Sequence, residues 1–172
     1  GASGANVMLG TGNGTFGDAT SYTTETGISN AVTLGDLNND GILDLVTAGS
    51  SGGNGRATVR IGVGNGTFGA ATSYATVTIG QSYGVTLGDL NGDGILDLVT
   101  AGYSAGGKAL VRFGLGNGTY GASRSYANET GGITNCLTLG DLNGDGLLDL
   151  VTAGYSAGGK ATIRLGVGNG TF

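Results

Sequence analysis

Three short segments of the chain hold most of its acidic side chains at a fixed spacing. They read GDLNNDGILDL at residues 35–45, GDLNGDGILDL at residues 88–98 and GDLNGDGLLDL at residues 140–150. Nine of the twelve acidic residues lie in these three loops, although charged residues make up only 11% of the chain. Each loop follows the pattern D-x-N-x-D-G-x-x-D, which repeats one set of oxygen-bearing side chains. Such a set suits a hard divalent cation.

The spacing of these oxygen atoms predicts calcium binding. Alternate residues of a tightly curled loop point inward, so positions 1, 3 and 5 converge, and the glycine at position 6 permits the sharp turn. Position 7 offers its backbone carbonyl, and the aspartate at position 9 closes the site. Oxygen ligands without His or Cys favour calcium over zinc or copper, and magnesium demands a stricter octahedron. We expect three Ca²⁺ sites, formed by Asp36, Asn38, Asp40, Ile42 and Asp44, by Asp89, Asn91, Asp93, Ile95 and Asp97, and by Asp141, Asn143, Asp145, Leu147 and Asp149.

The composition argues against several other classes of function. The chain has no His and a single Cys, and no Ser stands beside a plausible base, so we expect no enzyme activity. Seven scattered Lys and Arg residues, in a chain of net charge −5, are too few for a nucleic-acid-binding surface. No apolar run approaches the roughly 20 residues that a membrane span requires.

The acidic loops belong to an internal repeat. The segment GNGTF, or GNGTY in one copy, begins at residues 12, 64, 116 and 168, in steps of 52 residues. A fixed period of this length indicates stacked supersecondary units. We divide the chain into the tail of a preceding repeat at 1–16 and three full repeats at 17–68, 69–120 and 121–172.

Hydrophobic alternation predicts four short strands in each repeat. From the first repeat into the start of the second, residues 31–34 lead into the acidic loop, residues 45–48 leave it, and residues 57–61 and 70–74 flank a tight turn at Asn65-Gly66. Four strands are the content of one propeller blade, and a single sheet of this kind cannot bury both of its faces. We therefore predict an all-β fold of tandem four-stranded antiparallel blades, β-propeller-like, completed by further repeats or by other chains.

The chain resembles a known family in the segment V-T-L-G-D-L-N-G-D-G-x-x-D-L-V-T and the G-N-G-T-F that trails it. These segments look like FG-GAP/VCBS repeats, the blades of integrin α-type propellers, and the resemblance covers essentially the whole chain. It implies an extracellular or cell-surface location, structural calcium in the loops and ligand binding on propeller faces. The chain departs from the family motif at Phe68-Gly69-Ala70-Ala71, which lacks the usual Pro. Three repeats are also fewer than the roughly four to eight blades of a propeller.

Five asparagines fit the acceptor pattern for N-glycosylation. Four of them stand in Asn-Gly-Thr triplets, and Asn-Gly is also the dipeptide that a tight hairpin requires. Turn formation is therefore the alternative role of these side chains. The acceptors are Asn13, Asn65, Asn117, Asn128 and Asn169.

Two further features recur or stand alone in the predicted strands. Arg60, Arg112 and Arg164 occupy one repeat position, where we expect solvated strand faces, with a ligand surface or ion pairing as alternatives. Cys136 replaces Ala31 in the strand before the third loop, and we expect it to be a small buried residue.

Three functions are compatible with these observations. The first is a calcium-stabilised extracellular repeat module for adhesion or for protein or glycan binding. The second is a structural subunit that joins copies of itself into a ring or filament. The third is a lectin, which Tyr103 and Tyr155 favour as exposed aromatics, although the first repeat has Ser50 at their position.

The second function is suggested by the positions within the repeat at which the sequence starts and stops. The last repeat stops at Phe172 without the polar strand that follows Phe68, and residues 1–22 contain a matching segment. One copy's N-terminal segment would then complete the last sheet of another copy, in a closed ring or an open fibre. The alternative is that the chain is an excerpt of a longer array. The expected partners are further copies of the chain, or an extracellular protein or glycan.

Overall fold

The computed structural model describes residues 4–24, 27–77, 80–103, 107–127, 132–155 and 159–172. Every regular element in these ranges is a β-strand, and no helix there has the length and apolar character needed to cross a membrane. The strands are β1 (Gly4–Val7), β2 (Thr20–Thr23), β3 (Gly27–Gly35), β4 (Asp44–Ser51), β5 (Asn54–Gly62), β6 (Phe68–Val77), β7 (Ser82–Gly88), β8 (Asp97–Gly102), β9 (Lys108–Gly114), β10 (Tyr120–Ala127), β11 (Ile133–Gly140), β12 (Asp149–Tyr155) and β13 (Lys160–Arg164).

The strands form separate antiparallel sheets in chain order. Blade 1 has the order β3-β4-β5-β6, blade 2 the order β7-β8-β9-β10, and blade 3 the order β11-β12-β13. Strands β1 and β2 pair with each other and are called the N-terminal ribbon. The prediction of tandem four-stranded antiparallel blades is confirmed by blades 1 and 2. Within the described residues, the sheets do not close into a ring, which fits an incomplete propeller.

The hydrophobic core lies between the blades rather than inside any one of them. Leu37, Val46 and Val59 of blade 1 pack against Val85 and Leu87 of blade 2. The second core repeats this arrangement between blades 2 and 3 with Leu90, Val99, Val111, Leu137 and Leu139. Successive side chains of a strand point to opposite faces of its sheet, and each face is buried only when a neighbouring sheet packs against it.

The hairpin turn that joins the third and fourth strands forms as the Asn-Gly dipeptide predicts. Gly64 and Gly66 have φ angles of 85° and 82°, in the left-handed region that glycine adopts without steric cost. The N–H of Val63 donates a 2.9 Å hydrogen bond to the carbonyl oxygen of Thr67, which closes the turn. The same closure recurs at Leu115 and Thr119.

The prediction that Cys136 is buried is wrong. Its side chain is exposed. A Cβ placed on Gly84, the equivalent residue of blade 2, would lie 2.4 Å from Cδ2 of Leu137 in blade 3. The burial expected for Cys136 therefore depends on a following blade, and the described strands form none after its own.

Candidate metal centre

Each acidic loop joins the first two strands of a blade and is curled around its first aspartate. In the first loop, the N–H of Gly41 donates a 2.7 Å hydrogen bond to Oδ2 of Asp36, and the N–H of Asp40 donates a 3.1 Å bond to Oδ1. Asp89 and Asp141 accept equivalent bonds from the N–H groups of their own loops. Position 1 therefore fixes the curvature that brings the later positions together.

The side chains at positions 3 and 5 meet inside this curl. Nδ2 of Asn38 donates a 2.8 Å hydrogen bond to Oδ2 of Asp40, and the N–H of Asp40 donates a 3.2 Å bond to Oδ1 of Asn38. The N–H of Ile42 donates to the other carboxylate oxygen of Asp40 at 2.8 Å. The second and third loops repeat the Asn-to-Asp contact at 2.9 Å. The structure thus brings together the first three side chains that the spacing predicts.

The turn at position 6 requires a left-handed backbone. Gly41, Gly94 and Gly146 have φ angles of 81°, 79° and 82°. Position 4 also has positive φ, and there the first loop differs because Asn39, with φ of 61°, replaces a glycine. Asn tolerates this region better than most residues, since its short polar side chain can hydrogen-bond locally.

The aspartate at position 9 points into the blade instead of into solvent. Oδ2 of Asp44 accepts a 2.8 Å hydrogen bond from the N–H of Leu37, and Oδ1 accepts a 2.7 Å bond from the N–H of Gly62. Asp97 and Asp149 make the same pair of contacts, and all three residues have 0% exposed surface. This carboxylate joins the loop to the third strand of the blade. Its assignment as a calcium ligand stays a prediction.

The pKa values of the loop carboxylates diverge according to their surroundings. For Asp36, burial acts to raise the pKa, but hydrogen bonds from the N–H groups of residues 38–41 together lower it. The pKa of Asp141 is lowered mainly by the N–H of Gly146. Burial raises the pKa of Asp97 against the hydrogen bonds that it accepts, and the charges of Asp93 and Asp89 add to this. In the first and third loops, the carboxylate at position 1 is therefore held in the charged form that a cation requires.

The donor set of each loop fits a calcium ion when its carboxylates act together with ligands of other kinds. Within the described residues, no three Asp, Glu, His or Cys side chains are grouped so that they could hold a metal by themselves. In the first loop, two carboxylates, the Asn38 amide and the carbonyl of Ile42 supply oxygen atoms only, which calcium prefers. The Ile42 side chain lies over Gly62 and Gly64, where a Cβ would meet it at 2.8 Å and 3.1 Å, and this packing holds position 7 in place.

The recurring arginines join neighbouring blades, a role that was not predicted. Arg112 donates from Nη1 to the carbonyl of Gly121 at 2.7 Å in its own blade. Its Nη2 donates to the carbonyl of Ala75 at 2.8 Å in the preceding blade. Its guanidinium also lies over the ring of Tyr74, 5.5 Å from the centroid. Arg60 repeats these contacts with Gly69, Thr23 and Tyr22, and Arg164 donates to the carbonyl of Ala127. The signal in the sequence is that Tyr22, Tyr74 and Tyr126 recur with the same period.

Four of the glycosylation candidates occupy one equivalent turn. Oδ1 of Asn65 accepts hydrogen bonds from the N–H of Thr67 at 3.0 Å and from its hydroxyl at 2.6 Å. Asn13, Asn117 and Asn169 accept the same pair, and all four side chains are exposed. The turn role is therefore fulfilled by Oδ1 of an exposed side chain. Asn128 lies outside the described residues.

Comparison with known proteins agrees with this architecture. The family model described as FG-GAP-like repeat matches residues 1–47, 36–100 and 89–152. The second and third matches begin at Asp36 and Asp89, the first residues of acidic loops. A search of the curated proteins found no match. Because the matched segments cover most of its length, the chain belongs to the FG-GAP-like repeat family, as a module of propeller-type blades.

Proposed function

We propose that the chain is a calcium-stabilised, non-enzymatic extracellular module that binds protein or glycan partners in adhesion. The observation that carries the proposal is the threefold convergence of a position-1 carboxylate, a position-3 amide and a position-5 carboxylate in loops of one geometry. Two carboxylates held this close repel each other. A cation bound between them removes that repulsion.

Calcium would stabilise the fold through a buried residue of the loop itself. Leu37 and Leu90, at position 2, belong to the two cores between blades. Ordering the loop therefore fixes the position of a core side chain. The chain has 40 glycines, and glycine loses much conformational entropy on folding. Calcium binding would offset part of this loss.

The extracellular part of the proposal rests on calcium concentration and on the family. Extracellular calcium modules bind with Kd values of roughly 10⁻⁴ to 10⁻³ M, so such sites fill outside the cell and stay largely empty in the cytosol. Tyr103 and Tyr155 are exposed at equivalent positions of blades 2 and 3 and supply aromatic surface for a partner. We also propose the Asn-Gly-Thr turns as glycan acceptors, because their asparagine side chains are exposed.

Counting the bound ions tests this proposal. Calorimetric titration of the calcium-free chain should give three Ca²⁺ per chain. The Asp40→Asn variant should give two, because position 5 of the first loop loses its charge. Asp18→Asn, an exposed aspartate outside the loops, is the matched control and should still give three. Absence of calcium binding, or an equal loss in both variants, would refute the assignment.

A further inference from the structure

Blade 1 has an uncovered apolar face, which we call the leading face. It is formed by Val32, Leu34 and Leu43, which are 61%, 51% and 57% exposed. The equivalent residues of the later blades are packed in the cores between neighbouring blades. They are Val85, Leu87 and Leu96 in blade 2 and Leu137, Leu139 and Leu148 in blade 3.

Blade 3 has the complementary uncovered face, which we call the trailing face. It is formed by Leu142, Ile163 and Leu165, which are 53%, 59% and 51% exposed. In blade 1, Leu37 and Val59 hold the first two of these positions and are each 2% exposed, because blade 2 covers them. The two faces therefore match the two sides of the joints that already exist within the chain.

At each contact between neighbouring blades, a glycine of one blade leaves a notch that receives two leucines of the next blade. A Cβ on Gly35 would lie 2.7 Å from Cδ1 of Leu87 and 2.8 Å from Cδ1 of Leu96, so a side chain at this position would have to displace this pair of leucines. Gly88 receives Leu139 and Leu148 in the same way, at 2.7 Å and 2.9 Å. The third glycine, Gly140, has no atom within 4 Å of its Cβ position. Its notch is open, and the equivalent leucine pair, Leu34 and Leu43, is exposed on blade 1.

We propose that the leading face of one copy docks on the trailing face of a second copy, with Leu34 and Leu43 in the notch at Gly140. The internal joints identify the occupant, since each shows this same pair of faces in contact. The interface is head-to-tail, so repetition gives a ring if the rotation closes and a filament if it does not.

The N-terminal ribbon shows how the strands are arranged at this joint. The N-terminal segment already packs on blade 1, because Leu9, just after β1, lies against Gly66, and Tyr22 of β2 packs against Phe68. A cleft of about 680 Å³ remains beside β1 over the inner strands of blade 1. Strands β1 and β13 are equivalent in the repeat, so β13 of the incoming copy takes the place of β1 and pairs with β2. The result is a sheet β11-β12-β13-β2 with the strand order of blades 1 and 2.

Two variants and their mixture test the proposal on the full chain in calcium. Gly140→Val fills the notch without a clash in its own chain, and Leu34→Asp charges the leading face. In sedimentation equilibrium, the wild type should show a mass that rises with concentration, and each variant alone should stay at the 16.6 kDa of one chain. The equimolar mixture should form a one-to-one dimer and no larger particle, because each variant keeps one intact face.

A third variant serves as the control. Leu115→Asp places a charge on a residue that is 58% exposed in blade 2 and belongs to neither face, and this variant should assemble as the wild type does. Formation of the mixed dimer also shows that both variants fold. A wild type that stays monomeric, variants that assemble normally, or a mixture that stays monomeric would overturn the proposal. Calcium counts in the same samples report on the metal sites separately.

Discussion

The N–H of Gly118 donates a 3.1 Å hydrogen bond to the carbonyl oxygen of Leu37, 81 residues earlier in the chain. Leu37 is the second residue of the first acidic loop, and Gly118 lies in the Asn-Gly turn of the next blade. Gly170 and Leu90 repeat the contact at 2.8 Å one blade later. The first and second candidate calcium loops are therefore bonded directly to the following blade.

This contact predicts that calcium protects particular amides of the following blade. With calcium at about ten times Kd, one site adds about 1.4 kcal/mol to the free energy of opening that loop, or roughly tenfold in exchange protection. In hydrogen exchange, Asp40→Asn should lose this protection at Gly118 and keep it at Gly170. Equal changes at both amides would contradict a local coupling of loop and blade.

The aspartate at position 9 should support the fold with or without the metal. Asp97→Ala leaves the buried N–H groups of Leu90 and Gly114 without acceptors, and each such loss costs about 1–3 kcal/mol. We expect denaturant unfolding to show a loss of about 3 kcal/mol or more in chelator as well as in calcium. Asp93→Ala should destabilise the chain more in calcium than in chelator. If chelation abolishes the effect of Asp97→Ala, the residue acts as a metal ligand alone.

The arginine contacts between blades should be sensitive to side-chain shape as well as charge. Arg112→Lys keeps the charge, but an ammonium group cannot reach both carbonyls with the planar fork of a guanidinium. Hydrogen bonds of charged groups contribute about 1.5–3 kcal/mol each, so we expect a loss of about 2 kcal/mol in the free energy of unfolding. Arg124→Lys is the control, because exposed Arg124 contacts only a ring face among its described partners, 4.9 Å from the Phe113 centroid. Equal effects of the two changes would refute the bridging role.

Replacing Tyr120 by Phe should stabilise the protein. Its hydroxyl is buried without a hydrogen-bond partner, and burial raises the pKa of this phenol. The equivalent residues Phe16, Phe68 and Phe172 lack the hydroxyl. We expect a gain of about 1 kcal/mol in the free energy of unfolding. Tyr74→Phe should have the opposite sign, because the Tyr74 hydroxyl accepts a 3.2 Å hydrogen bond from the N–H of Tyr120.

The sequence predicts those features that depend on local spacing. The two-residue alternation locates the four strands of blade 1, and Asn65-Gly66 locates its hairpin, because both signals arise within a few residues. The D-x-N-x-D-G pattern likewise predicts the curled loop, since the curl is made by hydrogen bonds over at most five residues.

Features that depend on the stacking of blades are not visible in local patterns. The contact of Arg112 with Ala75 spans 37 residues and uses a carbonyl oxygen, which any residue at position 75 would offer. The exposure of Cys136 depends on whether another blade follows. The inward direction of Asp44 depends on the N–H of Gly62, 18 residues away on another strand.

Thermal unfolding in calcium and in chelator shows whether calcium stabilises this fold. Three sites filled at about ten times Kd should together add about 4 kcal/mol, which raises Tm by roughly 10 °C for a chain of this size. The same concentration of magnesium should give much less, because Mg²⁺ sheds its water reluctantly. A Tm that is equal in calcium and in chelator would contradict the assignment of the acidic loops as calcium sites.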